Sequence, residues 1–211
     1  MIKVMIVDDH GIIRDGLRHI LEGQADMSVV AEAENGLQAL GIAAEVYPDV
    51  IIMDISMPQM DGFDCTRLLA ALLPDALILV LTVHDSIQYA FRILEAGAHG
   101  FLSKRAVSKE LLIAIRTILG GRSYICSRIS EKLAARLRGD GWGVDGLTSL
   151  STREFQVLRH IGAGHNLKET AEALRISEKT VSTYRSRILE KLGFHTRAEL
   201  MRYALDLKLA D

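Results

Sequence analysis

Short apolar runs and longer amphipathic stretches alternate along the first 120 residues of this 211-residue chain, and this alternation constrains the fold more than any other feature. The short runs are rich in Val and Ile and almost continuously apolar, as strands buried on both faces should be. They span residues 3–7, 28–33, 50–53, 76–81 and 100–102. The stretches of helical period follow them at residues 10–21, 36–46, 62–73, 86–96 and 107–119.

Five strand–helix pairs predict one parallel sheet with helices on both faces. Short strands and this length favour a flavodoxin-like α/β domain, with five parallel strands in the order 2-1-3-4-5. Gly120 and Gly121 stop the last helix as C-cap glycines do, so we assign this domain to residues 1–121.

The remainder of the chain divides into a linker and a helical domain. Residues 122–147 are predicted to be the linker, helical at 127–138 and then rich in glycine. Residues 148–211 are predicted to form an all-α domain of four helices, because a capping residue precedes each helical stretch. The capping residues are Ser151, Asn166, Ser177 and Thr196.

Charge is distributed unevenly between the two halves. Residues 148–211 hold 11 basic and 8 acidic residues, whereas the rest holds 14 and 19, so the halves are expected to meet different partners. Cys65 and Cys126 form no CxxC pair and are predicted to be reduced thiols of a cytoplasmic protein. No apolar run approaches the roughly 20 residues of a membrane helix, so no membrane partner is predicted.

Acidic residues follow two strands that should be neighbours. In this topology ligands bind between strands 1 and 3, beyond their carboxyl ends. Asp8 and Asp9 follow strand 1 and Asp54 ends strand 3, so three carboxylates should converge there. Mg²⁺ would relieve their repulsion, and one carboxylate could then attack a phosphoryl group to form an acyl phosphate.

Two further groups at strand ends suit the same chemistry. Thr82 ends strand 4 and Lys104 follows strand 5, so a hydroxyl and a cation are available for phosphoryl oxygens. Each residue by itself is more often structural, and Asp9 in particular could be a helix N-cap. Five compatible groups at strand ends favour a phosphoryl-accepting pocket.

The motifs around these residues resemble the receiver domain of bacterial response regulators. They are Val7-Asp-Asp-His10, Met53-Asp-Ile-Ser-Met-Pro58 with Asp61-Gly62, Leu81-Thr82, and Gly100-Phe-Leu-Ser-Lys104. The resemblance implies that Asp54 accepts a phosphoryl group from a sensor histidine kinase. It also implies a Mg²⁺ site made of Asp9, Asp54 and the Ser56 carbonyl, with Asp8 acting through water.

The same resemblance implies that Thr82 and Lys104 contact the phosphoryl group. It also implies that Phe101 is the aromatic switch residue. Val83 stands where the family usually has a smaller residue, and it is expected to narrow access to Asp54. Ser56 and His84 are hypothesised to set the lifetime of the phosphoryl group. His84 could equally be a surface residue.

The stretch 178–192 combines an apolar face with a polar face. Val181, Ile188 and Leu192 share one side, and hydroxyl and basic side chains occupy the other. Preceded by the short helix 167–174, it has helix-turn-helix spacing, although a solvated helix in a small bundle fits the period equally well. The residues predicted to contact DNA are Lys179, Ser182, Thr183, Tyr184, Ser186, Arg187 and Lys191.

Four motifs in this half resemble the LuxR-type helix-turn-helix. They are Leu150-Ser-Thr-Arg-Glu154, Lys168-Glu-Thr-Ala171, Ile176-Ser-Glu-Lys-Thr-Val181 and Ile188-Leu-Glu-Lys-Leu192. With the receiver motifs they make the chain similar to NarL/FixJ-type response regulators. The resemblance implies a transcriptional regulator with residues 178–192 in the major groove of promoter DNA. Leu200, Ala204 and Leu207 form a stripe that could pair two such domains, but core packing is favoured.

The prediction is a bacterial cytoplasmic regulator that forms a homodimer on double-stranded promoter DNA when Asp54 is phosphorylated. One alternative is a Mg²⁺-dependent phosphatase with an aspartyl nucleophile. Such enzymes commonly carry a second Asp two residues later, where this chain has Ser56. The other alternative is a constitutive DNA-binding regulator whose receiver does not switch.

Overall fold

The computed structural model describes residues 1–57, 60, 62–83, 87–137, 149–207 and 209. The chain divides into two compact units, the first formed mainly by residues 1–132 and the second mainly by residues 133–211. No helix in the described ranges is both long enough and apolar enough to cross a membrane.

The first unit is built on a six-stranded sheet in which every pairing is parallel. The strands lie in the order β2-β1-β3-β4-β5-β6, so the predicted five-strand order is confirmed and one strand is added. Their bounds are β1 Ile2–Val7, β2 Met27–Ala33, β3 Val50–Asp54, β4 Leu77–Thr82, β5 Gly100–Ser103 and β6 Tyr124–Ile125.

The sixth strand is a correction to the prediction, which placed its residues in the linker. β6 pairs with the edge of β5, with Tyr124 beside Gly100 and Ile125 beside Phe101. Two residues carry no readable alternation, so only the pairing defines this strand. The linker is therefore attached to the sheet at its beginning.

Helices follow the strands in alternation and agree with the predicted stretches to within two residues. All five residues of the central strand β3 are buried, which explains its continuous apolar sequence. The helices are α1 Gly11–Glu22, α2 Gly36–Val46, α3 Gly62–Leu72, α4 Ile87–Glu95, α5 Val107–Leu119 and α6 Ser127–Leu137. The glycine-rich part of the predicted linker lies outside the described residues.

In its described residues, the second unit contains four further helices, in agreement with the prediction. Capping boxes are present at Ser151, Asn166 and Thr196, each with a Glu three residues later, and Ser177 caps the remaining helix. These helices are α7 Thr152–Gly162, α8 Leu167–Leu174, α9 Glu178–Leu192 and α10 Arg197–Asp206. Leu200 and Ala204 of α10 are fully buried, so this part of the predicted stripe packs in the core of the unit.

Candidate functional site

The sheet gathers acidic side chains beyond the carboxyl ends of β1 and β3. Asp8 and Asp54 are each only 1% exposed, and Asp9 is partly exposed beside them. One ligand atom from each of these carboxylates, and one from His10, lie within 4.8 Å of one another. Adjacent parallel strands produce this convergence, since β1 pairs directly with β3. The structure therefore brings the three predicted carboxylates together.

Lys104 joins two of these carboxylates from the end of β5. Its Nζ lies 2.7 Å from Asp8 Oδ2 and 2.9 Å from Asp54 Oδ2. Burial disfavours the charged form of Lys104, but the two carboxylates outweigh it, so the pKa of Lys104 lies above the ordinary lysine value. Lys104 is therefore a fixed positive charge in the pocket.

Asp54 has a different electrostatic balance. Burial raises the pKa of its carboxyl above the ordinary aspartate value, and the opposing effect of Lys104 does not cancel this shift. Its Oδ1 atom has no hydrogen-bond partner within the part of the chain that the structure describes. A buried carboxylate oxygen without a donor requires an explanation, and an incoming cation or electrophile would supply one.

Asp8 is held by more contacts than Asp54. Its Oδ1 accepts a hydrogen bond from the His10 backbone N–H at 2.9 Å, and its backbone carbonyl accepts one from Arg14 Nη1 at 2.7 Å. Arg14 also contacts Glu32 and Glu34, at 3.3 and 2.8 Å. Arg14 was not among the predicted site residues. A basic residue six positions after Asp8, on the first turn of α1, was the available signal.

His10 was also missed as a member of the pocket. Its Nδ1 atom lies 2.7 Å from Asp9 Oδ1 and 3.2 Å from Asp8 Oδ1, and its side chain is 61% exposed. His10 is the N-cap residue of α1, but its side chain makes no capping hydrogen bond. Its position immediately after two pocket aspartates was the signal that could have identified it.

Three carboxylates facing one ammonium leave an excess of negative charge, which fits a hard divalent cation with oxygen ligands. Asp8, Asp9 and Asp54 are the residues that would hold Mg²⁺. Ser56 lies two residues beyond Asp54, and its buried Oγ has no hydrogen-bond partner among the described residues. The role of the Ser56 carbonyl stays a prediction.

The other predicted pocket residues occupy the adjacent strand ends. Thr82 ends β4 and is fully buried, and Val83 is 50% exposed. The narrowing of access by Val83 stays a hypothesis. His84 lies outside the described residues, together with Pro58 and Asp61 of the motifs.

The predicted switch residue lies inside the protein. Phe101 is fully buried in β5. Unlike Tyr, Phe has no hydroxyl that needs a hydrogen-bond partner, so the whole ring can be buried without leaving a polar group unpaired. The ring of Phe101 therefore lies in the inward position in this structure, and its role as a switch stays a prediction.

The predicted DNA-contacting side chains lie along α9. Lys179, Thr183, Ser186 and Arg187 are exposed, whereas Ser182 and Tyr184 are half-buried. The hydroxyl of Thr183 donates to the Lys179 carbonyl at 3.0 Å, and that of Ser186 donates to the Ser182 carbonyl at 3.1 Å. The exposed members form a polar surface, and Val181 and Ile188 pack on the other side.

Lys191 differs from the rest of that set because it has partners within the helical unit, and its contact with DNA stays a prediction. Its Nζ donates to Glu154 Oε2 at 2.7 Å and to the Ser149 carbonyl at 2.9 Å, so it ties α9 to the start of α7. Burial would raise the pKa of Glu154, but the contacts from Lys191 and Ser151 prevail and hold that pKa below its ordinary value. The ammonium of Lys191 therefore makes its contacts within the helical unit.

Comparisons with known proteins agree with both halves of the chain. The family model described as response regulator receiver domain matches residues 4–116, and the model described as bacterial regulatory proteins, luxR family, matches residues 148–204. Oxygen regulatory protein NreC of Staphylococcus aureus is 38% identical over 215 residues, covering 99% of each chain.

Solved structures of similar proteins cover nearly the whole chain. RcsB of Salmonella enterica serovar Typhimurium, bound to promoter P1flhDC in the presence of the phosphomimetic BeF₃⁻, superposes with a TM-score of 0.75 at 28% identity. The match covers 96% of this chain and 97% of RcsB. RcsB bound to promoter rprA gives a TM-score of 0.73 with the same identity and coverage. This chain belongs to the response regulators that join a receiver domain to a luxR-family domain, and it is a DNA-binding transcriptional regulator.

Proposed function

We propose that Asp54 accepts a phosphoryl group from the histidine of a sensor kinase. One observation carries this assignment: Asp54 Oδ1 is a buried carboxylate oxygen without a hydrogen-bond partner in the described part of the chain. Both side-chain oxygens of Asp8 are contacted, one by the His10 N–H and the other by Lys104. Of the two fully buried carboxylates, Asp54 is therefore the one with an oxygen available for attack.

The reaction transfers a phosphoryl group from nitrogen to oxygen. Asp54 Oδ1 forms a bond to phosphorus, the bond from phosphorus to the kinase imidazole breaks, and the imidazole nitrogen keeps the electron pair. Lys104, held 2.9 Å from Asp54 Oδ2, places a positive charge beside the phosphoryl oxygens. Thr82, at the end of β4, supplies a hydroxyl. Bound Mg²⁺ would supply further charge neutralisation through Asp8, Asp9 and Asp54.

Stoichiometric labelling by a small-molecule phosphodonor with Mg²⁺ tests this assignment. Wild type should take up one phosphoryl group per chain, and Asp54→Asn should take up none. Asp75→Asn is the matched control, because Asp75 is an exposed carboxylate in the turn before β4. Full labelling of Asp54→Asn would refute the assignment.

Slow loss of the phosphoryl group to water is part of the same proposal, with Ser56 and His84 setting its rate. Turnover of a phosphomonoester is disfavoured, because Ser56 offers a hydroxyl where a phosphatase would need a general acid. Exchanging Ser56 and His84 together should change the lifetime of labelled Asp54. An unchanged lifetime would remove both residues from this role.

We also propose that α9 reads promoter DNA in the major groove, within a homodimer formed on phosphorylation. The exposed Lys179 and Arg187 would meet phosphates, and Ser182 and Thr183 would meet base edges or nearby phosphates. The RcsB complexes, with promoter DNA and a phosphomimetic, support this proposal by similarity. A regulator of this kind works in the bacterial cytoplasm, where its DNA is. The segments 1–121, 122–147 and 148–211 are the proposed receiver, linker and DNA-binding domain.

The path from pocket to linker is proposed to run through β5 and β6. The Cys126 N–H donates to the Phe101 carbonyl at 3.0 Å. The first part of the linker is therefore hydrogen-bonded to the backbone of the proposed switch residue. The Tyr124 hydroxyl and the Ser127 hydroxyl each donate to Glu110 of α5 at 2.6 Å. Movement of β5 at Phe101 would therefore displace the start of α6.

DNA selected by the phosphorylated protein provides the test of regulation. Anisotropy titrations should show tighter binding in the presence of BeF₃⁻ and Mg²⁺, and sedimentation should show a dimer under the same conditions. Equal affinity with and without BeF₃⁻ would instead support the constitutive alternative.

A further inference from the structure

Among the residues that the structure describes, the acidic cluster includes one imidazole, that of His10. Its Nδ1 lies 2.7 Å from Asp9 Oδ1 and 3.2 Å from Asp8 Oδ1. A ligand atom of His10 falls within 4.8 Å of ligand atoms of Asp8, Asp9 and Asp54. The pocket thus offers a mixed set of three oxygen donors and one nitrogen donor.

The local backbone turns this imidazole toward the pocket. The His10 N–H donates to Asp8 Oδ1 at 2.9 Å, and the His10 carbonyl accepts hydrogen bonds from Ile13 and Arg14 in the first turn of α1. The side chain takes no part in capping that helix. With 61% of its surface exposed, it contributes little to the core and remains accessible at the pocket mouth.

Asp54 adds a second, independent observation at the same cluster. Asp54 is 1% exposed, and its Oδ1 has no hydrogen-bond partner in the described part of the chain. A buried carboxylate oxygen without a donor is costly unless a cation or another electrophile occupies the space it faces. The His10 imidazole lies at the open side of that same cluster.

The chemistry of the donor atoms determines which metal ions would bind more tightly because His10 is present. Mg²⁺ prefers oxygen ligands and keeps several waters, so an imidazole adds little to its binding affinity. Divalent cobalt, nickel and zinc accept imidazole readily and manganese less so, and affinities for such a site rise from manganese through cobalt and nickel to copper before falling at zinc. The imidazole binds such an ion as a neutral ligand through the lone pair of a ring nitrogen.

We propose that His10 is an additional ligand for divalent transition-metal ions, so that the pocket binds these ions with nitrogen ligation and in competition with Mg²⁺. The inference rests on the proposed cation role of the same pocket. The regulator would then respond to the balance between magnesium and transition metals, since both occupy the site next to Asp54.

Metal titrations of the full-length protein at one fixed pH test the proposal. Dissociation constants for Co²⁺, followed by visible absorption, and for Mg²⁺, followed by calorimetry, give a selectivity ratio for each variant. His10→Asn and His10→Ala should reduce the preference for Co²⁺ over Mg²⁺ by at least about tenfold, the lower end of what losing a metal-site partner costs. His19→Asn, on the exposed side of α1, is the matched control and should retain the wild-type ratio.

Electron spin echo spectroscopy with Mn²⁺ supplies the direct readout. Wild type and His19→Asn should show modulation from an imidazole nitrogen that excess Mg²⁺ removes, and both His10 variants should lack it. Persistence of the modulation in the His10 variants, its absence from wild type, or an unchanged selectivity ratio would each overturn the proposal. Phosphodonor labelling of Asp54 in Mg²⁺ alone is scored separately, so failure of the phosphoacceptor assignment is distinguishable from failure of the His10 assignment.

Discussion

Lys104 Nζ lies 2.9 Å from Asp54 Oδ2, at the bottom of a pocket where Asp54 is 1% exposed. The same ammonium contacts Asp8, so one cation from the end of β5 serves carboxylates from the ends of β1 and β3. This arrangement makes Lys104 both a structural and a chemical component of the site.

Lys104→Met should destabilise the first unit and impair labelling of Asp54. Removing one partner of a buried ion pair costs about 3–5 kcal/mol, because the remaining charge is left without compensation. Mg²⁺ should restore part of this loss, since it binds the carboxylates that Lys104 leaves. Urea unfolding with and without Mg²⁺ measures the effect, and Lys109→Met, an exposed lysine of α5, is the control. Equal stability of the two variants without Mg²⁺ would contradict the prediction.

The contact between Glu154 and Lys191 should make the second unit sensitive to acid. The folded pKa of Glu154 lies below its ordinary value of 4.5, so the contact stabilises fully above that pH, and the stability is lost as pH falls through the folded pKa. Glu154→Gln should lower the free energy of unfolding by about 1.5–3 kcal/mol at neutral pH, as expected for a hydrogen bond to a charged group. Hydrogen exchange of α7 and α9 amides between pH 3 and pH 7, roughly the range over which a carboxylate titrates, measures the difference. A gap between the two proteins that does not close in acid would count against this assignment.

Lys179 and Lys191 should behave differently in DNA binding, although both lie on α9. Lys179→Ala should reduce the slope of log affinity against log salt by about 1, because one phosphate contact is lost. Lys191→Ala should leave that slope unchanged and lower stability instead, because its ammonium contacts Glu154 and Ser149. Anisotropy titrations across a salt series decide between them. A reduced slope for Lys191→Ala would show that Lys191 contacts a DNA phosphate and would contradict this prediction.

The link between α5 and the linker should depend on the Tyr124 hydroxyl. Tyr124→Phe removes its 2.6 Å hydrogen bond to the Glu110 carboxylate, at a cost of about 1.5–3 kcal/mol, or a loss of protection of roughly tenfold or more. The Cys126 amide, which is bonded to Phe101, should exchange faster by that factor. The ratio of DNA affinities with and without BeF₃⁻ should also fall. Tyr47→Phe, at the exposed end of α2, is the control, and an unaltered Cys126 exchange rate would exclude the link.

Two glycines should respond oppositely to alanine. A Cβ at Gly16 or at Gly193 would meet no atom within 4 Å, so steric clashes do not contribute to the effect of either substitution. Gly16 lies inside α1, where alanine should raise stability by about 1 kcal/mol. Gly193 caps α9 with φ 68°, where alanine should lower stability by about 1–2 kcal/mol. Urea titrations of both variants measure the signs, and a shared sign would contradict the backbone explanation.

Local patterns in the sequence were sufficient for much of this molecule. Buried parallel strands are continuously apolar, so the five main strands and their order could be predicted. Capping boxes depend on residues three apart, so the starts of α7, α8 and α10 could be located before any packing was known. The carboxylates Asp8 and Asp54 follow from the topology, because adjacent parallel strands end at the same edge.

Other features depend on contacts between residues far apart in the chain. β6 exists because Tyr124 and Ile125 lie against β5, and Lys191 faces Glu154 because α9 packs on α7. Arg14 reaches the Asp8 carbonyl across the first turn of α1, and His10 turns toward Asp9. A pattern of residue types states which groups are available, but the direction of each polar side chain is set by the partner that folding places within hydrogen-bonding distance. The composition of the pocket was therefore determined by the sequence, and the partners of its charges were decided by the tertiary structure.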